Sequence, residues 1–181
     1  MISLSQKAVP NGKFAVGDMR TFDPLEYWGS ASSQPQDASQ QDTSQQDVSS
    51  PIHNGFDAIL TILSLFTLTR PELESLAQKF ARWIKPGGLL CICMIAAEDL
   101  RPRIQDGVTD GYDTDGFCVR DIEGKFMGNR VKFSLLTREG WRWLLRGNGF
   151  EIVSEGTEVY RPPVEADSEE EPHFYLVARR V

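Results

Sequence analysis

Between Phe56 and Ile95 the sequence carries two uninterrupted apolar runs separated by a helical pattern, and no other stretch limits the fold as tightly. The runs, Phe56 to Phe66 and Leu89 to Ile95, lack the alternation of a strand with one wet face, so each reads as a strand covered on both sides. Between them Thr69 stands three residues before Glu72, the spacing of a capping box, and Pro71 fits the first helical turn. Leu73, Leu76, Ala77, Phe80 and Ile84 recur at helical spacing, while Arg82 and Lys85 fall where the helix dipole favours cations. Pro86-Gly87-Gly88 then stops the helix and turns the chain into the second run. A strand–helix–strand unit of this kind pairs its strands in parallel and implies an α/β sheet layered between helices.

The flanking chain is consistent with one such domain over residues 1–181. Ser3 to Val9 reads as the remnant of a helix ending before Pro10-Asn11-Gly12, a turn signal. Phe14 to Val16 reads as a short strand ending at Gly17-Asp18, with Asp18 either at the ligand-binding edge of the sheet or serving as a turn residue. Residues 29–52 are low in complexity: Gln-Asp-x-Ser recurs at Gln36, Gln41 and Gln46, with too few apolar side chains to offset the entropy of ordering. This tract is expected to be a disordered insertion. Residues 96–125 are polar and glycine-bearing, and their acid spacing does not match a calcium loop; they read as a lid-like excursion over the sheet edge. Phe126 to Leu136 contains a strand with its core at Arg130 to Leu136. Thr137 caps a helix with Trp141, Leu144 and Leu145 on one face, ended by Gly147-Asn148-Gly149. Phe150 to Ser154 and His173 to Ala178 read as a final antiparallel strand pair, joined through an acidic loop at 162–172.

Charge and composition remove several functions. A formal net charge of -7 argues against nucleic acid or an anionic membrane as the main partner. No apolar run reaches membrane-spanning length and the N-terminus has no basic-then-apolar signal pattern, so a cytoplasmic location is expected. Cys91, Cys93 and Cys118 form no metal-ligand grouping, and His53 and His173 lie far apart, so no metal site is expected. Cys91 and Cys93 are two apart on a strand and share one of its faces.

The order of Gly17-Asp18-Met19-Arg20, Phe56-Asp57-Ala58, Trp83 to Leu89 with its Lys85-Pro86-Gly87-Gly88, Thr137 to Trp141, and Gly149-Phe150-Glu151 resembles the C-terminal two-thirds of a class I S-adenosylmethionine-dependent methyltransferase of the small-molecule group. Phe174 to Arg179 is similar to that family's last strand. The resemblance implies an incomplete Rossmann-like sheet, mostly parallel with an antiparallel C-terminal strand pair. It places Asp18 and Met19 on the adenine side of a cofactor site and Leu63, Ser64 and Leu65 at the turn beyond the central strand. In the family a glycine-rich turn and a ribose-binding acid precede these positions. No Gly-x-Gly precedes Gly17 here, so the expected site is incomplete, with Asp18, Met19 and Ser64 its cofactor-side residues. An incomplete sheet should also leave an open edge and an uncovered apolar face, which implies a homodimer or docking on another protein.

Three functions follow from this resemblance. The first is a relic that uses no cofactor and catalyses a cyclisation, isomerisation or rearrangement of a hydrophobic small molecule, such as a natural-product intermediate. Its apolar pocket would be lined by Leu63, Phe66, Met94, Met127 and Trp141, with Ser64 nearby; Arg130 would stabilise negative charge, and Tyr112 or Tyr160 would donate a proton. The second is an active methyltransferase that binds S-adenosylmethionine once a partner chain completes the site. The third is a non-catalytic interaction subunit.

Overall fold

A computed structural model describes residues 2–29, 55–100, 111–126, 129–161 and 170–181. Residues 30–52 of the expected insertion, residues 101–110 of the expected excursion, most of the acidic loop and Met127 lie outside the described residues. The elements in chain order are helices α1 (Ile2–Ala8) and α2 (Pro24–Gly29), strand β1 (Phe56–Ile62), helix α3 (Arg70–Trp83) and strand β2 (Ile84–Met94). A 3-10 turn (Ala97–Leu100), β3 (Cys118–Phe126), β4 (Asn129–Leu136), α4 (Arg138–Gly147), β5 (Phe150–Tyr160) and β6 (Glu171–Arg180) complete them.

The main sheet has the order β1-β2-β6-β5, with β1 and β2 parallel and β6 antiparallel to both of its neighbours. β1, β2 and β5 therefore point one way and β6 runs against them, as the resemblance implied. The unit that fixes this arrangement forms as its sequence predicts. The Thr69 amide and hydroxyl both donate to Glu72 Oε2, at 2.7 and 2.8 Å, closing the capping box. Leu73, Leu76, Ala77, Phe80 and Trp83 are the buried face of α3. Ile84, expected as the last residue of that face, is instead extended, and it opens β2 with its side chain in the core. Thr137 caps α4 by accepting from the Gly140 amide at 2.9 Å. Helices α3 and α4 bury Phe80, Trp141, Leu144 and Leu145 in one cluster with Leu90, Ile92, Phe174 and Leu176 of the sheet.

Three expectations need correction. Phe14 to Val16 form no strand. Residues 18–28 run along α3 instead: Arg20 faces Glu72 at 3.8 Å, its carbonyl accepts from Lys79 Nζ at 2.5 Å, and Asp23 faces Arg82 at 3.6 Å. Among the described residues, the edge of the sheet is therefore β1 itself. Second, β1 is covered on one face only. Ile59 and Thr61 turn inward, whereas Leu60 and Ile62 are 65% and 59% exposed. Its continuous apolar run is not the mark of a strand buried twice, because among the described residues no helix packs on the outer face. Third, the excursion after β2 contains an unexpected strand, β3, which folds on β4 as a hairpin with a register shift between Val119 and Ile122.

Candidate functional site

Ligand sites of open α/β sheets lie beyond the C-terminal ends of the strands, and here the β3–β4 hairpin packs over those ends. The path of β1 bends sharply at Leu63, whose φ of 44° lies in the left-handed region, while its amide still donates to the Cys93 carbonyl at 2.9 Å. A non-glycine residue held there stores local strain, a feature that clusters at binding sites. Ser64 follows half-buried, and Phe66 meets Phe133 of β4 edge to face at 5.2 Å. The Phe66 carbonyl accepts from the Ser134 amide at 3.1 Å. Ala97, Val119, Ile122 and Leu135 form a second apolar cluster, against which Phe66, Ile95, Leu100, Tyr112 and Phe133 pack.

Ion pairs fix the hairpin and the segment leading into it. Arg70, at the start of α3, donates to Asp113 at 2.8 Å and to both Asp115 oxygens at 2.8 and 2.6 Å, and its guanidinium lies 5.7 Å from the Trp143 ring centre. These hydrogen bonds from Arg70 pull the Asp115 carboxyl down to about 2 and raise Arg70 above its ordinary value. Asp113 also pairs with Arg120. On α4, the Arg138 amide donates to Glu98 at 3.0 Å and its guanidinium to Asp99 at 2.9 and 2.6 Å, tying the 3-10 turn to the helix start. Phe117 accepts from the Thr137 amide at 2.9 Å, and a Cβ on Gly140 would run into that same carbonyl. Gly140 is thus the residue that lets the hairpin's entry lie against α4.

The sequence-predicted residues distribute unevenly over this edge. Tyr112 bridges to Val119, and its hydroxyl is buried with no hydrogen-bond partner among the described residues. Leu63, Ser64 and Phe66 lie at the same strand ends. Met94 and Trp141, expected to line a pocket, are core residues exposed by only 1% and 2%. Arg130 is exposed on β4 opposite Lys125, near the hairpin tip. Tyr160 belongs to a different place. It stacks on His173, with ring centres 5.2 Å apart and planes 8° apart, on the outer face of the sheet where Tyr175 and Cys93 are paired. His173 is 8% exposed, with its Nε2 3.6 Å from Glu171. Burial pushes the Cys93 thiol up, with the neighbouring Tyr175 hydroxyl acting the other way.

Of the expected cofactor-side residues, Asp18 and Met19 lie beside α3. Asp18 is exposed, and both of its carboxylate oxygens accept from Arg20 at 2.9 to 3.2 Å, which lowers its pKa. Met19 packs with Leu68, Leu76 and Lys79 around a cleft of about 50 Å³ on α3. That volume falls far below the several hundred Å³ of a small-molecule site. Asp18 and Ser64 are not among the residues that line this cleft. Phe133, the left-handed conformation of Leu63 and the Arg70 clamp are not among the sequence expectations. Alternation at Val131, Phe133 and Leu135 marks the first, whereas no local signal marks the other two.

No family model matches the chain, and no curated protein matches it. Solved structures do. An S-adenosylmethionine-dependent methyltransferase from Methanosarcina mazei is 15% identical, with a TM-score of 0.53, and the match covers 71% of this chain and 60% of that one. The N-methyltransferase NodS from Bradyrhizobium japonicum, in complex with S-adenosyl-L-homocysteine, is 12% identical with a TM-score of 0.52 and covers 99% and 61%. A structure concerning the conversion of a disulfide bond into a thioacetal group during echinomycin biosynthesis is 15% identical with a TM-score of 0.56 and covers 98% and 60%. The chain thus spans about three fifths of the length of these neighbours. With the strand order and the helix layer described above, these matches establish that the chain carries the class I S-adenosylmethionine-dependent methyltransferase fold.

Proposed function

We propose that this protein is a small-molecule tailoring protein of methyltransferase fold that promotes a cyclisation, isomerisation or rearrangement without the methyl donor. The observation that carries this reading is the Tyr112 hydroxyl. It is buried, without a partner among the described residues, in the apolar cluster shared with Phe66 and Ile95 just past the ends of β1 and β2. A buried polar group without a partner is unfavourable by about 1–3 kcal/mol, and such a group at a ligand edge is suited to hydrogen-bond or protonate a bound molecule. Apolar walls and one donor favour a hydrophobic substrate that meets the strand ends beneath the hairpin. The structural neighbour concerned with echinomycin biosynthesis supports natural-product chemistry as the setting. The chain is read as acting in the cytoplasm, as a homodimer or docked on another protein.

Calorimetric titration with S-adenosylmethionine and S-adenosylhomocysteine tests the absence of the donor. The expected result is no measurable heat of binding at micromolar protein; tight binding of either compound overturns the reading. A second reading, methyl transfer completed by a partner chain, is favoured by one observation. NodS, whose fold this chain shares, holds S-adenosyl-L-homocysteine. It predicts binding that appears only when such a partner is added.

A further inference from the structure

The two edges of the main sheet are built on different plans. β5 carries Glu151, Glu155 and Glu158 and a register shift between Ile152 and Ser154. Charges and bulges of this kind keep an edge strand from pairing with another chain. β1 has a register shift between Phe56 and Ala58 and one charge, Asp57, but from Ala58 to Ile62 its register against β2 is continuous and no residue is charged or proline. Because the Leu63 amide points to Cys93, the odd-numbered residues of β1 direct their backbone groups to β2. Ala58, Leu60 and Ile62 direct theirs outward, and among the described residues only β2 pairs with this strand.

We propose that β1 is a twofold dimer edge, on which the β1 strand of a second copy pairs antiparallel about Leu60. This gives a definite surface to the association proposed above and rests on that reading. The argument for a second copy is self-complementarity. With the axis at Leu60, that residue falls opposite Leu60 of the partner subunit and Ala58 falls opposite Ile62 of the partner subunit. Every outward N–H and C=O of the three residues then gains a partner. Asp57, the one charge on β1, falls opposite Leu63 of the partner subunit. The two Asp57 carboxylates end about 20 Å apart at ~3.4 Å per residue, farther than salt lets exposed charges act. An isologous contact needs only this one patch, so no second complementary surface has to be present.

Light scattering and amide hydrogen exchange on the full chain test the proposal together. The expected outcome is a dimer at micromolar concentration whose Ala58, Leu60 and Ile62 amides lose protection on dilution. Leu60→Lys, which brings two ammonium groups together at the axis, should weaken dimerisation by ~100-fold while leaving the far-ultraviolet circular dichroism unchanged. Ala58→Lys is the alternative where that variant folds poorly, and Val159→Lys on the β5 edge should leave the dimer intact. A monomer at micromolar concentration overturns both the association and the edge. A dimer whose β1 amides exchange rapidly, or one that survives Leu60→Lys, overturns the edge alone.

Discussion

The two faces of the main sheet start from similar sequence material and end in different states. On the inner face, Leu90, Ile92, Phe174 and Leu176 disappear beneath α3 and α4. On the outer face, His173 and Cys93 are buried, but Leu60, Ile62 and Tyr175 remain 65%, 59% and 40% exposed. Apolar content does not separate them, since Leu60 and Ile62 are as apolar as Leu90 and Ile92. The difference lies in what the chain supplies to cover each face. Both described long helices fall on one side, because each follows a strand through a capped turn and packs back on that side. Stability should therefore be concentrated in one half of the sheet, and substitutions should report this asymmetry directly.

The largest effect belongs to the covered face. Trp141 is 2% exposed within the shared cluster of sheet and helices, so Trp141→Ala should lower the unfolding free energy by ~3–5 kcal/mol. Urea titration followed by circular dichroism measures it, and a loss below 1 kcal/mol (roughly the size of a surface effect) would break the comparison. Gly140→Ala comes next. The added methyl meets the Phe117 carbonyl, which must move or separate the hairpin's entry from α4. A loss of about 1–3 kcal/mol is expected, together with faster exchange of the Thr137 amide that bonds to the same carbonyl.

Much of this frame could be read before any coordinates, and what could not has identifiable causes. The capping box at Thr69 and Glu72, the Thr137 cap and the apolar spacing of α3 and α4 are local features, and all of them form. Coverage is not local. The run from Phe56 to Ile62 looks like a strand buried twice, but burial depends on which helices arrive. Phe14 to Val16 has strand-like residues yet pairs with no strand among the described residues. At the candidate site, Leu63, Ser64 and Phe66 mark the strand ends in the sequence, and Tyr112 is one of two alternative proton donors expected there. Trp141 and Met94 were misplaced, because an apolar residue near a strand end looks the same whether it lines a pocket or fills a core. The pairing of Arg70 with Asp113 and Asp115 spans more than forty residues and leaves no spacing signal at either end.

That clamp provides the next test. Asp115 has its carboxyl drawn from an ordinary 3.8 down to about 2 by Arg70. A depressed pKa means that the folded state binds this proton less readily than the unfolded state does. Its stabilisation is therefore present above pH 3.8 and is lost as the pH falls toward about 2. The urea midpoints of the wild type and Asp115→Asn should differ at neutral pH and converge across that window. A difference independent of pH would assign the residue's effect to packing, not to its charge.

The smallest expected effect belongs to the outer face. Leu60→Thr keeps strand propensity and the backbone of β1 while removing apolar surface that is already wet. Measured below the concentration at which copies associate, it should change the unfolding free energy by no more than ~0.5 kcal/mol. Its value lies in separating a face from an edge. The side chain of Leu60 belongs to the face, whereas its amide and carbonyl belong to the edge. If association runs through the backbone of β1, Leu60→Thr should weaken the dimer far less than Leu60→Lys does. If copies instead meet face to face, the loss of apolar contact should weaken it severely without any charge being introduced. A loss of several kcal/mol in the dilute protein, on the scale of a buried leucine, would mean that the outer face is covered after all, and the contrast between the two faces would fail.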